Sequence, residues 1–407
     1  MSVVFLDNMK RFLPILSWLP DYKSDQLKGD LFAGITVGII LIPQGMAYAL
    51  LAGLPPIYGL YAAVLPQVVY AVFGTSRQLA VGPVALDSLL VATALGSMNL
   101  QTEMEYISMA IFLAFLMGIV QLVLGLLKMG FLVNFLSKPV ISGFTSAAAI
   151  IIGLSQLKHM LGTELEQSFR LHELVINLIP KLEGLNWYTF GIGVLAIGII
   201  WGIKKWKKTI PGVLIVMVLA IIASYFMDFT QFGVELLGDI PKGLPSFQFP
   251  SASQEQILEI SHWAVAIALV GFTEAISIGK SIEHKHDNYK VKPSQELIAL
   301  GASNIIGSFF SSYPVTGGFS RSAVNNEAGA KTGMSSIVAA IIVALTLLFL
   351  TPLFYYLPNP ILAAVIMVSV IGLIDLKYPK QLWKNRKDEF VLLLVTFGVT
   401  MFFGIIE

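Results

Sequence analysis

Three ionisable residues lie in stretches that are otherwise apolar enough to cross a membrane: Asp87, Glu274 and Arg321. A charged side chain inside an apolar span costs about 2.5–3.5 kcal/mol on insertion scales, so such residues are functional candidates. Arg321 could set the potential of an anion site, or it could form a structural ion pair with Glu274. Glu274 could instead bind a proton in step with an anion, because burial and neighbouring charges both control carboxyl ionisation.

Other polar side chains accompany these charges. Gln44 and Tyr48 are four residues apart in the first apolar span and share a helix face, so an amide and a phenol could contact a ligand. For Tyr48, helix packing is the alternative. Ser320 could cap a helix or donate a hydrogen bond to an anion. Asp87 would repel a nearby anion if ionised, so it faces away, carries a proton or stabilises its helix start; it is a second coupling candidate.

Asp87, Ser320 and Arg321 belong to two short breaks in apolar sequence, 81–88 and 314–322, that contain glycine and proline. In a bilayer, non-helical backbone persists only where it is buried in protein or lines a watery cavity. Paired breaks in two halves of a chain point to the substrate site of a secondary transporter. The alternative is that both are kinked helices.

Each break should begin with a short extended run, 78–81 or 312–316, and continue as a half-length helix. Glycine and proline disfavour helix in the extended runs, and the half-helices should start near Val84 and Phe319. Two facing half-helix N-termini would present unpaired backbone N–H groups and partial positive charge. Such a gap predicts a small-anion site.

Composition assigns the chain to the integral membrane proteins. Its 407 residues are 56% hydrophobic and 13% charged, with a formal net charge of +1, against about 25% charged residues in soluble domains. Nothing in this balance suggests a nucleic-acid partner. The chain has no cysteine, which excludes disulfides, thiolate metal sites and thiol nucleophiles. No nucleophile–base pair and no metal-ligand spacing is present, so we expect neither an enzyme nor a cofactor.

The apolar runs predict thirteen membrane elements of roughly 20 residues or half that length. The eleven continuous spans are placed near 31–52, 57–74, 107–127, 139–157, 187–203, 210–226, 261–280, 293–310, 334–351, 360–375 and 388–406. The two broken elements are 77–97 and 312–330.

Orientation follows from the basic loops near 204–208, 280–292 and 377–387, which lie on the same side as the basic N-terminus. That side is predicted to be cytoplasmic, and the acidic linker 227–260 to be extracytoplasmic. The basic N-terminus contains Lys10 and Arg11, and the first basic loop contains Lys207 and Lys208. Residues 1–30 are predicted to form an amphipathic cytoplasmic segment at the interface.

The two halves, 31–226 and 261–407, echo each other. Gln44 precedes the first half-helix by about the same distance as Glu274 precedes the second. An odd number of elements in each half makes the repeats inverted across the membrane.

Several runs resemble the sulfate permease (SulP) family of anion transporters, which in animals includes pendrin and prestin. The matching runs are DLFAGITV (30–37), IPQGMAY (42–48), AGLPPIYGLY (52–61), AVGP (80–83), KPVISGFT (138–145) and PVTGGFSRS (314–322). The resemblance extends over nearly the whole chain.

The resemblance implies an all-α polytopic membrane fold of two inverted seven-helix repeats, with two short β-strands preceding the half-helices. It also implies a core domain (31–128 and 261–351) that moves like an elevator against a gate domain (132–226 and 357–407). Carried over to matching positions, the family's anion contacts are Gln44, Tyr48, Pro83, Val84, Glu274, Phe319, Ser320 and Arg321. We add Ala85, which lies at the start of the first half-helix.

The sequence departs from the family pattern in two places. Family members usually continue into a fourteenth helix and a cytoplasmic STAS domain, whereas this sequence stops after the thirteenth element, which suggests a fragment. Asp87 occupies a position that is apolar or hydroxylated in many animal members.

The function predicted from these features is secondary active transport of a small inorganic anion, sulfate first and bicarbonate second, coupled to protons or sodium ions. The expected location is the cell membrane, specifically a bacterial inner membrane. The expected partners include a second copy of the chain in a homodimer. An anion channel or voltage-responsive protein is the alternative. A nucleobase permease is disfavoured because Arg321 suits a charged substrate.

Overall fold

The computed structural model describes residues 12–135, 137–163, 171–206, 211–286 and 289–403. Lys10, Arg11, Lys207 and Lys208, and the end of the last predicted span, lie outside these ranges. The chain divides into two compact units. Unit 1 comprises Met1–Phe135 and Lys242–Leu350, and unit 2 comprises Leu136–Pro241 and Thr351–Glu407.

Unit 1 contains long apolar helices and two half-length helices. Its helices are α1 (Ser24–Leu51), α2 (Pro56–Tyr61), α3 (Leu65–Phe73), α4 (Ala85–Gly96), α5 (Glu103–Leu126), α11 (Gln254–Glu283), α12 (Pro293–Ser308), α13 (Phe319–Glu327) and α14 (Met334–Leu345). Short 3₁₀ segments lie at Pro14–Ser17 and Met129–Phe135, and α14 continues into a π-helical turn, Thr346–Leu350.

Unit 2 is also helical. Its helices are α6 (Lys138–Ser155), α7 (Leu157–Leu161), α8 (Leu171–Leu178), α9 (Trp187–Trp206), α10 (Gly212–Met227), α15 (Asn359–Ile371), α16 (Lys377–Asn385) and α17 (Lys387–Phe403). Short 3₁₀ segments occupy Ile179–Gly184, Phe229–Phe232 and Thr351–Tyr356. Across both units, seven helical stretches among the described residues are long and apolar enough to cross a membrane.

Small residues let the helices of unit 1 approach each other closely. A Cβ placed on Gly45 of α1 would lie 2.9 Å from the carbonyl oxygen of Gly59 in α2. A Cβ on Gly118 of α5 would lie 2.8 Å from the carbonyl oxygen of Gly301 in α12. Without a hydrophobic driving force between helices in lipid, such backbone contacts supply the packing.

Two short strands connect the broken elements. β1 (Val81–Gly82) pairs antiparallel with β2 (Thr316–Gly317), with Val81 opposite Gly317 and Gly82 opposite Thr316. The predicted fold of helices with two short strands before the half-helices is therefore confirmed. The strands are shorter than the extended runs predicted, and each begins at the last residue of its run and extends one residue beyond it.

The span predicted at 57–74 is present as one membrane-length helical stretch, Pro56–Phe73, with a turn between α2 and α3. Pro66, in the first turn of α3, cannot donate a hydrogen bond to the preceding turn. Two other predictions need correction. The basic loop predicted near 377–387 contains α16, and α8 forms in a stretch with no predicted element.

Candidate functional site

The strand pair brings the starts of both half-helices to one place in unit 1. The Gly318 N–H donates to the Ala80 carbonyl (2.9 Å), and the Ala80 N–H donates to the Ser322 hydroxyl (2.9 Å). α4 begins at Ala85 and α13 at Phe319, within one residue of the predicted starts. Neither helix has a side-chain cap, so the first N–H groups keep the partial positive charge of an open N-terminus.

Arg321 lies beside this strand pair and is only 2% exposed. Its Nη1 donates to Oε1 of Gln44 in α1 (3.3 Å), while its Nε and Nη2 have no hydrogen-bond partner among the described residues. The guanidinium folds back over its own helix start, since a Cβ on Gly318 would lie 2.5 Å from Nη2. A Cβ on Gly82 would lie 3.5 Å from the same nitrogen. The guanidinium therefore lies between Gly82 of β1 and Gly318, the residue that follows β2.

Two tyrosines complete the surroundings of Arg321. Tyr48, predicted from its spacing to Gln44, and the fully buried Tyr313 both interact electrostatically with the guanidinium. The Tyr313 hydroxyl lies 3.1 Å from the hydroxyl of Ser88 in α4. Sequence reasoning did not select Tyr313 or Ser88 as contacts, although Ser88 ends the first break and Tyr313 lies in the extended run before the second, which is the signal that could have identified them.

Two carboxyl groups form a second polar cluster: Asp87 on the half-helix α4 and Glu274 on the long helix α11. Asp87 is fully buried, and neither of its carboxyl oxygens has a hydrogen-bond partner among the described residues. It is close enough to Glu274 for the two carboxyl groups to interact electrostatically. A Cβ on Gly271, one turn before Glu274, would lie 2.9 Å from Asp87 Oδ2. The Thr316 hydroxyl donates to the Gly271 carbonyl (2.6 Å), which joins α11 to β2.

The remaining predicted contacts differ in exposure. Phe319 is 62% exposed and Ser320 is exposed, so both are accessible on the first turn of α13. Pro83, Val84 and Ala85 are buried around the start of α4. Glu274 is partly exposed.

Two alternatives considered for these residues do not match the structure. Among the described residues, Arg321 and Glu274 form no ion pair; the arginine bonds to Gln44, and Glu274 lies near Asp87. Ser320 does not cap α13, because Gly318 occupies the N-cap position and Ser320 lies within the first turn. The described residues also contain no cluster of three or more potential metal ligands.

Comparison with known proteins identifies the family. The family model described as "Sulfate permease family" matches residues 27–396. The chain belongs to the sulfate permease family. The match spans both half-helices and almost every helix of the two units.

The chain aligns with part of the length of its relatives. It is 43% identical over 407 residues to sulfate transporter 4.1, chloroplastic, of Arabidopsis thaliana, an alignment that covers 98% of this chain and 59% of the relative. It is 39% identical over 428 residues to the sodium-independent sulfate anion transporter of Bos taurus, covering 96% of this chain and 69% of the relative. The chain therefore spans about three-fifths of the length of the plant relative.

Solved structures agree with the fold. Murine solute carrier 26 family member A9, an anion transporter in the inward-facing state, superposes with a TM-score of 0.90 at 29% identity, covering 99% of this chain and 69% of that one. The transmembrane domain of the cyanobacterial bicarbonate transporter BicA gives a TM-score of 0.82 at 23% identity, covering 93% and 97%. The predicted membrane fold is confirmed, and these relatives are named as transporters rather than enzymes.

Proposed function

We propose that this chain is the membrane domain of a secondary active transporter that carries a small inorganic anion, sulfate first and bicarbonate second. One observation supports this proposal most directly. Arg321 is buried beside two uncapped half-helix N-termini and has no carboxylate partner among the described residues. A buried cation with unsatisfied N–H groups is costly unless an anion accompanies it. The half-helix N-termini supply further N–H groups for that anion.

The order of substrates rests on the relatives. The plant and bovine relatives are named sulfate transporters, whereas the bicarbonate transporter supports only the fold at 23% identity. A tetrahedral dianion such as sulfate also benefits more than a monoanion from a cation and two positive helix ends. A neutral nucleobase would leave the arginine unpaired.

Coupling is proposed to involve Glu274 as the proton site, with Asp87 as a secondary group. Two carboxylates in low-dielectric surroundings repel each other strongly, and a proton removes that repulsion. Because Glu274 is partly exposed and Asp87 is fully buried, Glu274 is the group that exchanges protons with water. A sodium ion between the carboxyl groups is the competing proposal for the coupling ion.

The remaining features of the proposed mechanism come from the family resemblance. We propose an elevator-like movement of unit 1, which contains Arg321, Asp87 and Glu274. From the basic loops we propose further that the N-terminus is cytoplasmic and that the membrane is the inner membrane of a bacterial cell; a homodimer is compatible with this proposal.

The test is uptake by the purified protein in proteoliposomes of labelled sulfate, bicarbonate, chloride and fumarate, with uracil as the neutral competitor. Each solute is supplied with an imposed proton gradient, an imposed sodium gradient or neither. We expect sulfate to accumulate only with an inward proton gradient. Accumulation of uracil without anion uptake would contradict the proposal, and unitary anion currents in planar bilayers would identify a channel instead.

A further inference from the structure

A polar cavity lies in unit 1, outside the half-helix site. Its volume is about 320 Å³, at the lower end of the range for small-molecule sites. Residues from four separate segments line it: Pro14, Ser17, Trp18, Ala71, Gly74, Thr75, Ser76, Arg77, Tyr289, Lys290, Lys292 and Gly333. By the positive-inside rule this is the cytoplasmic end of unit 1.

The ionisable lining is strongly basic. Among the described residues, its charged lining residues are Arg77, Lys290 and Lys292, and no carboxylate lines it. Arg77 is half-buried and has no hydrogen bond or ion pair among the described residues; its guanidinium lies 5.5 Å from the centre of the Tyr289 ring. Burial raises the pKa of Tyr289 to about 12, so the ring remains a neutral platform for the cation.

The carboxylates near the cavity among the described residues are committed to other donors. Glu283 accepts from the Lys280 ammonium group (2.6 Å) and from the Val291 N–H (3.2 Å). Glu296 accepts hydrogen bonds from the Tyr70 hydroxyl and from the hydroxyl and N–H of Thr75. Asp30 acts electrostatically on Arg77, but it accepts from Tyr22 and from the 331–332 backbone. Glu296 and Asp30 stabilise the local turns and moderate the positive potential. Neither forms an ion pair with Arg77.

A buried hydroxyl adds an independent indication of a ligand. Ser76 lines the cavity and is 4% exposed; its Oγ lies beside the Tyr289 hydroxyl but makes no well-formed hydrogen bond. The Tyr289 hydroxyl donates to Oε1 of Gln78 (2.6 Å). A buried hydroxyl that donates to no acceptor is unfavourable, so a ligand that accepts its hydrogen bond is favoured here.

We propose that this cavity binds a phosphate group. A phosphate offers several strong acceptor oxygens and negative charge, which match three cations and the Ser76 hydroxyl, and the planar Arg77 guanidinium suits it geometrically. The group could be a phosphomonoester headgroup of a cytoplasm-facing lipid or free inorganic phosphate, and the chemistry of recognition is the same for both. The inference does not depend on the transport function proposed above.

The test is a titration of the purified protein in neutral detergent with dioctanoyl phosphatidic acid and, separately, with inorganic phosphate. Binding is measured as a rise in the midpoint of thermal unfolding, and native mass spectrometry counts the lipid bound. We expect the double variant Lys290→Gln/Lys292→Gln and the single variant Arg77→Gln each to weaken binding about tenfold or more, which corresponds to ~1.4 kcal/mol. A response to the lipid alone identifies a headgroup, and an equal response to both ligands identifies free phosphate.

The control is Lys285→Gln, which removes an exposed charge from the same loop without changing the cavity lining. It should bind like the wild type. Because Lys290 and Lys292 are exposed, their double variant tests the cavity even if Arg77→Gln fails to fold. The proposal is overturned if neither ligand raises the midpoint, if Lys285→Gln weakens binding as much as the double variant, or if only Arg321→Gln abolishes it.

Discussion

At the scale of single residues, the candidate site separates positive from negative charge. Arg321 bonds to Gln44 and interacts with two tyrosines, while Asp87 and Glu274 interact with each other. An ion pair would have neutralised the arginine permanently. Keeping the charges apart leaves the cation available to an anion and the carboxyl groups available to a proton.

This arrangement predicts that the carboxyl group of Glu274 makes uptake depend on pH. The variant Glu274→Gln should transport sulfate at a rate that no longer changes with external pH and should lose proton-driven accumulation, because the amide cannot exchange a proton. Asp87→Asn should retain pH dependence with altered steepness. The measurement is initial uptake into proteoliposomes between pH 5.5 and 8. Unchanged pH dependence in Glu274→Gln would rule out its coupling role.

At the scale of elements, the site depends on the geometry of the half-helix start. Gly318 is the N-cap of α13, and the guanidinium of Arg321 occupies the space that a methyl group would need. The contact is with the far end of a flexible side chain, so the fold can adjust. The arginine cannot keep its place between the strands.

The variant Gly318→Ala should therefore lower sulfate uptake at least tenfold while changing the thermal unfolding midpoint little, since the added methyl group displaces only the guanidinium. The matched control is Gly198→Ala in α9, where nothing lies within 4 Å of the added atom. Both rates are measured by labelled uptake, normalised to reconstituted protein. Wild-type uptake by Gly318→Ala would show that the position of Arg321 is not critical.

The sequence predicted the elements better than it predicted the contacts. Glycine and proline act locally, so the starts of α4 and α13 were predicted to within one residue. The bond between Gln44 and Arg321 joins residues 277 positions apart, and no local pattern sets such a distance. Opposite charge alone suggested a pair between Glu274 and Arg321 that does not form.

At the scale of the whole molecule, the orientation in the membrane remains a prediction from basic loops. The cavity proposed for phosphate and helix α16 both lie on the predicted cytoplasmic side, whereas the 227–260 linker lies on the opposite side. The absence of cysteine from the sequence makes the orientation easy to test.

Single cysteines introduced as Lys380→Cys and Glu255→Cys, both at exposed positions, should report opposite sides of the membrane. In intact cells, a membrane-impermeant maleimide should label only Glu255→Cys, because only that side faces the medium. Both variants should be labelled after the cells are opened. Labelling of Lys380→Cys alone in intact cells would reverse the predicted orientation.

The central claim is that a buried, unpaired Arg321 between two half-helix starts binds the transported anion. Its most direct test is labelled sulfate uptake into proteoliposomes by Arg321→Gln, compared with the wild type and with Arg386→Gln, which removes an arginine that is paired with Glu389 (2.6 Å) outside unit 1. Loss of a charge-assisted contact worth about 1.5–3 kcal/mol predicts at least tenfold lower sulfate uptake in Arg321→Gln and unchanged uptake in Arg386→Gln. Equal sulfate uptake by all three proteins would contradict the claim.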